Sequence, residues 1–104
     1  MIFRRGRFGD AIGRQLALFV EENAALLREC EEALEQYNAA EREDAEELYG
    51  DYVDLVESGT EILAEMRDRF AQTLDEADAD EYRAEFNRSV AKRLPRFALE
   101  LENR

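Results

Sequence analysis

The chain has no histidine, one cysteine, one proline, one lysine and no tryptophan in 104 residues. Each shortage removes a class of function. Without histidine there is no imidazole base for a Ser or Cys nucleophile, no His-ligated zinc and no Glu-x-x-His di-iron site. A single cysteine, Cys30, forms no intrachain disulfide, zinc ribbon or iron–sulfur cluster. Five Gly and one Pro are too few turn-formers for a β-sandwich or barrel. Long apolar runs are also missing. The longest uncharged stretch is Gln15 to Val20, six residues, against roughly 20 for a membrane span. It is also shorter than the roughly 7–15 residues of a signal-peptide core, so a cytoplasmic location is the default expectation.

What remains is acid, alanine and leucine. Asp+Glu is 26 and Lys+Arg is 14, so 14 − 26 gives −12. Hydrophobic residues are 45% of the chain, which separates it from a disordered polyanion. Abundant Glu, Ala, Leu and Arg favour helix. The expected fold class is all-α, and the length fits one domain. Thirteen Arg beside Lys92 with excess Asp and Glu resembles the composition of proteins from salt-loving organisms. A GC-rich genome gives the same bias toward Arg.

Charge is unevenly placed. Residues 1–14 carry 4 basic and 1 acidic side chain, or +3; residues 15–81 carry 4 and 22, or −18; residues 82–104 carry 6 and 3, or +3. Residues 1–9 read as a basic N-terminal arm ahead of a single helical domain over 10–104.

Hydrophobic spacing places helices at about 10–38, 45–76 and 80–94, with a short one over 95–102 after Pro95. In the first, Ile12, Leu16, Phe19, Val20, Leu27, Cys30, Leu34 and Tyr37 form one stripe with Asn23 in its middle. In the second, Leu48, Tyr52, Leu55, Gly59, Ile62, Met66 and Phe70 share a face, with Val56, Leu63 and Leu74 beside them. Asp44-x-x-Glu47 and Asp78-x-x-Glu81 read as capping boxes. No large apolar side chain lies between Tyr37 and Leu48, so the turn is expected at 38–44. The two stripes stay nearly in phase, so one unbroken helix from 10 to 75 is the alternative.

A helix of about 30 residues is roughly 45 Å long. Two such helices as an antiparallel hairpin, with a third of half their length, leave apolar surface uncovered. A homodimer with a four-helix-type core is therefore expected. Leu18, Tyr49 and Val53, lying off the stripes, and Asn23 on the seam are its interface candidates.

Glu31-Glu32-Ala33-Leu34-Glu35 resembles the E-E-x-x-E motif of the all-α nucleoside triphosphate pyrophosphohydrolases, the MazG-like family, over about 25 residues. The resemblance implies a Mg²⁺ site at Glu31, Glu35, Asp51 and Asp54. The family's downstream Lys and Asn have no counterpart. On a helical wheel Glu31, Glu32 and Glu35 centre about 120° from the apolar stripe, facing water.

The leading expectation is thus a small, acidic, non-enzymatic self-associating protein of unknown role, without a cofactor, a catalytic residue or an identified protein partner. The pyrophosphohydrolase-like site is the alternative. A nucleic-acid accessory protein using the basic N-terminal arm is the third reading, disfavoured by the −18 behind that arm. Arg88, Lys92 and Arg96 at i, i+4 and i+8 form a basic stripe, expected to pair with the acidic second helix.

Overall fold

The structure is a computed structural model and describes residues 6–104. Among these the chain is all-helical: α1 Gly9–Glu22, α2 Ala24–Asn38, α3 Arg42–Ala71, α4 Glu76–Arg93, a 3₁₀ turn Pro95–Phe97 and α5 Ala98–Glu102. No helix among them is long and apolar enough to cross a membrane.

The helix expected over 10–38 is two helices. At Asn23 the backbone leaves the helical region, with φ −118° and ψ 29°. Its side-chain Nδ2 donates to the Phe19 carbonyl at 3.0 Å, and its backbone N–H donates to the same oxygen at 2.9 Å. Asn competes for nearby backbone acceptors in this way and so breaks helices. The break lets α1 pack on α4 while α2 packs along α3. Asn23 is therefore a half-exposed break between two helices within the chain.

The unbroken-helix alternative is also corrected, because residues 39–41 are not helical. α3 begins three residues earlier than expected, at Arg42 behind Glu41, whose side chain makes no cap. Asp44 therefore lies inside the first turn and forms no capping box. α4 begins behind Asp75, whose carboxylate accepts the Asp78 N–H at 2.9 Å. Asp78 is thus the third helical residue, not the cap. Pro95 ends α4 as expected, and Lys92 and Arg93 sit favourably against its C-terminal dipole.

The core joins Ile12, Leu16 and Phe19 of α1 to Cys30, Val56, Leu63, Tyr82, Phe86, Val90, Phe97 and Leu101. Phe19 meets Phe97 edge to face at 5.9 Å, and Phe70 stacks on Tyr82 at 4.6 Å. Val20 belonged to the expected stripe yet is exposed. On α3 the buried line runs Val56, Thr60, Leu63, Arg67, Ala71, one residue further on than the expected ridge. Most of that ridge, including Leu55, Ile62, Met66 and Phe70, is only half-buried. The reason is that α4, the 3₁₀ turn and α5 cover α3 from a side that its own periodicity does not reveal.

That rotation buries an arginine. Arg67 is 2% exposed. One of its terminal nitrogens donates to the Leu101 carbonyl at 3.2 Å and to Asn87 Oδ1 at 3.0 Å, and its Nε donates to Asp68 at 2.9 Å. Arg83 reaches the same Asp68 oxygen at 3.1 Å. A buried cation is tolerable only when its donors are satisfied, and here they tie α5 and α4 to α3.

The molecule measures 51 × 29 × 22 Å with a radius of gyration of 15.9 Å. A compact chain of this length would have about 13 Å. The excess is the far end of α2 and the near end of α3. From Leu34 to Leu55 not one residue is fully buried.

Candidate interaction site

This two-helix tip carries both an apolar strip and most of the acid. Leu34, Tyr37, Leu48, Tyr52, Val53 and Leu55 are half-buried, and Tyr49 is 50% exposed. The rings of Tyr37 and Tyr49 lie 5.1 Å apart, and those of Tyr49 and Tyr52 lie 6.4 Å apart. Around them, residues 31–54 hold 10 acidic side chains and 1 basic one, Arg42, or −9.

The structure distributes the four expected interface residues unequally. Tyr49 and Val53 are on the tip. Leu18 is 46% exposed on α1 and lines a separate groove of about 510 Å³ with Ile62, Met66 and Phe70 of α3. Asn23 is occupied by the helix break.

Glu31, Glu35, Asp51 and Asp54 are all exposed. Glu31 accepts from Arg96 at 2.9 Å. Among the described residues no group of three or more His, Cys, Asp or Glu side chains is placed to hold a metal ion. The carboxylates of the E-E-x-x-E resemblance are therefore not gathered into a Mg²⁺ cradle.

Cys30 is fully buried, and burial pushes its thiol up, with Glu29 and Glu31 adding to the effect against Arg96. A thiol held protonated in the core is a packing group. Tyr82 is fully buried and its hydroxyl donates to Gln15 Oε1. Burial pushes it up to about 12.

The basic segment expected at residues 1–9 lies outside the described residues for its first five positions. The described part is packed on α4. Arg7 pairs with Asp78 at 2.6 Å, Phe8 meets Tyr82 edge to face at 5.4 Å, and the Phe8 N–H donates to Glu85 at 3.3 Å.

The basic stripe of α4 is also rearranged. Pro95 turns Arg96 away, and it donates to Tyr52 at 3.0 Å and to Glu31. The expected pairing with the acidic second helix is thus replaced: the ion pair of Arg96 is to Glu31 of α2, and on α3 it meets the Tyr52 hydroxyl. Arg88 and Lys92 stay exposed, and Arg93 joins them in a groove of about 470 Å³ against Gly6, Gly9 and Gly13. Arg93 also lines a groove with Arg14 and another, of about 390 Å³, with Arg28 over Leu27, Leu94 and Phe97. This five-residue basic face draws on α1, α2 and α4. Sequence spacing gave only Arg88 and Lys92, because no periodicity within one helix links side chains on three.

No family model matches the chain, and neither a curated protein nor a solved structure matches it.

Proposed function

We propose that the chain works without catalysis, as a self-associating interaction or assembly protein. In this reading α2 and α3 form an antiparallel hairpin whose tip is covered by a second copy. The supporting observation is the run from Leu34 to Leu55, which carries large apolar side chains and buries none of them fully.

The energetics favour cover. Each large apolar side chain left wet forgoes about 1.5–3 kcal/mol of burial. α4 and α5 are used up on the other half of α3. A second copy supplies the missing helices and gives a four-helix-type core, and a closed two-fold pair is the simplest arrangement.

Sedimentation velocity over a range of concentrations tests the reading. The expected result is a dimer for the native chain. Tyr49→Glu with Val53→Glu puts charge on the strip and yields a monomer of unchanged helicity. A native chain that stays monomeric up to its solubility limit overturns the proposal.

A further inference from the structure

Acid dominates this protein, yet five cations on one face find no acidic partner. Arg14, Arg28, Arg88, Lys92 and Arg93 are all exposed, and among the described residues none of them makes an ion pair. Among the described residues Arg42, Arg69 and Arg104 likewise make no ion pair but lie apart from this face, whereas Arg7, Arg67, Arg83 and Arg96 all meet a carboxylate. Arg93 links the five, since it lines a groove with Arg88 and Lys92, another with Arg14 and a third with Arg28. Asp10, Glu31 and Glu85 also line these grooves and offset the five positive charges in part, and an anionic partner would offset the remainder.

The floor of the third groove is apolar, made by Leu27, Leu94 and Phe97, and its rim includes Arg28 and Arg93. The tip has the complementary character. Its apolar strip holds Tyr49 and Val53, and its flanks, residues 32–54, carry 9 acidic side chains and 1 basic one, or −8. Two tips laid against each other would bring −8 against −8. A tip laid on the basic face joins apolar to apolar and acid to base.

We infer that Arg14, Arg28, Arg88, Lys92 and Arg93 form the docking face for the acidic α2–α3 tip of a second copy of this chain. The inference rests on the self-association reading and names the partner surface for it. The tip is held along α3 and cannot fold back onto its own molecule, so the contact is intermolecular. A two-fold axis makes it reciprocal: each tip lies on the other's α1–α4 side, and both are covered at once. A nucleic acid also carries negative charge, but it offers no apolar strip for the groove floor and meets a body of net −12.

The test uses the full chain and charge reversal on both surfaces. Arg88→Glu, Lys92→Glu and Arg93→Glu make a face variant; Glu43→Lys, Glu46→Lys and Glu47→Lys make a tip variant. Circular dichroism checks that each is as helical as the native chain. In sedimentation velocity each variant alone loses dimer affinity by at least about tenfold, and the equimolar mixture regains a heterodimer. Native dimerisation also weakens by about tenfold or more between about 0.05 M and about 0.5 M NaCl, as ion pairs are screened. Should a variant fail to fold, the salt dependence of the native dimer still decides the matter. A dimer that persists in both folded variants and ignores salt overturns the inference while leaving self-association standing; a monomeric native chain overturns both. Retention of native chain on duplex DNA or single-stranded RNA that the face variant loses, with dimerisation unchanged, assigns the face to nucleic acid and overturns the inference.

Discussion

Gly59 sits under the ring of Phe97 so closely that a Cβ on Gly59 would lie 2.4 Å from Phe97 Cε1 and 2.9 Å from Cζ. Gly in mid-helix ordinarily costs about 1 kcal/mol relative to Ala. Here the missing side chain lets the C-terminal segment reach α3, so Phe97 can fill the core beside Phe19.

Gly59→Ala is therefore expected to destabilise, against helix propensity. Overpacking costs about 1–3 kcal/mol, which outweighs the propensity gain. Gly50 is the control, since nothing lies within 4 Å of its built Cβ. Gly50→Ala is expected to stabilise by about 0.5–1 kcal/mol. Urea denaturation of the two variants reads out opposite signs; equal shifts of the same sign would show that Phe97 does not press on this glycine.

Arg67 is expected to hold the C-terminal helix in place. Arg67→Ala strands the Leu101 carbonyl and Asn87, and breaking a buried charged contact costs about 3–5 kcal/mol. Arg67→Lys keeps the charge but loses the fork, so it recovers only part of the loss. Hydrogen exchange checks the location: amides of residues 98–102 lose protection first in both variants.

Acid sensitivity follows from Asp68. Burial alone would raise its pKa, but hydrogen bonds from Arg67 and Arg83 outweigh this and hold it below the ordinary 3.8. A carboxylate depressed in the folded state stabilises above its unfolded pKa, and the contribution fades as pH falls through the folded one. Stability is thus expected to drop below about pH 4. Asp68→Asn flattens that limb of the pH–stability curve, measured by urea midpoints. An unchanged acid limb counts against the triad.

Tyr82 works at the other end of the scale. Its phenol is neutral when protonated and is raised from 10.0 to about 12 in the folded protein. Its contribution is complete below the unfolded pKa and is lost as pH climbs from 10 toward 12. Ultraviolet titration should show a late tyrosine step, that of Tyr82, together with unfolding. In Tyr82→Phe the late step disappears.

Salt is expected to act in opposite directions on fold and assembly. The −18 over residues 15–81 repels itself, so added KCl raises the melting temperature of the chain. The same salt weakens contacts between basic face and acidic tip. Differential scanning fluorimetry and sedimentation, run in parallel, check both signs.

Local patterns were legible where a helix had only one side to bury. Ile12, Leu16, Phe19 and Cys30 were read correctly because α1 and α2 each present a single face to the core. α3 misled, because neighbours cover it from two sides and its buried line includes Thr60 and Arg67. Thr60 is admitted because its hydroxyl donates to the Val56 carbonyl at 2.8 Å, and Arg67 because α4 and α5 supply acceptors. The Thr60 acceptor is four residues away in its own helix, but those of Arg67 on α4 and α5 lie 20 and 34 residues off.

The candidate site was half legible. Tyr49 and Val53 stood out because they break the pattern of their own helix, and they do lie on the tip. The basic face did not stand out, since its residues come from positions 14, 28, 88, 92 and 93.

The sequence by itself determined an all-helical, strongly acidic chain with no imidazole and a single thiol, because composition and the period of apolar residues act within one helix at a time. Tertiary structure decided which way α3 rolls and which cations share a face. Those outcomes depend on contacts between segments tens of residues apart, and no local spacing encodes them.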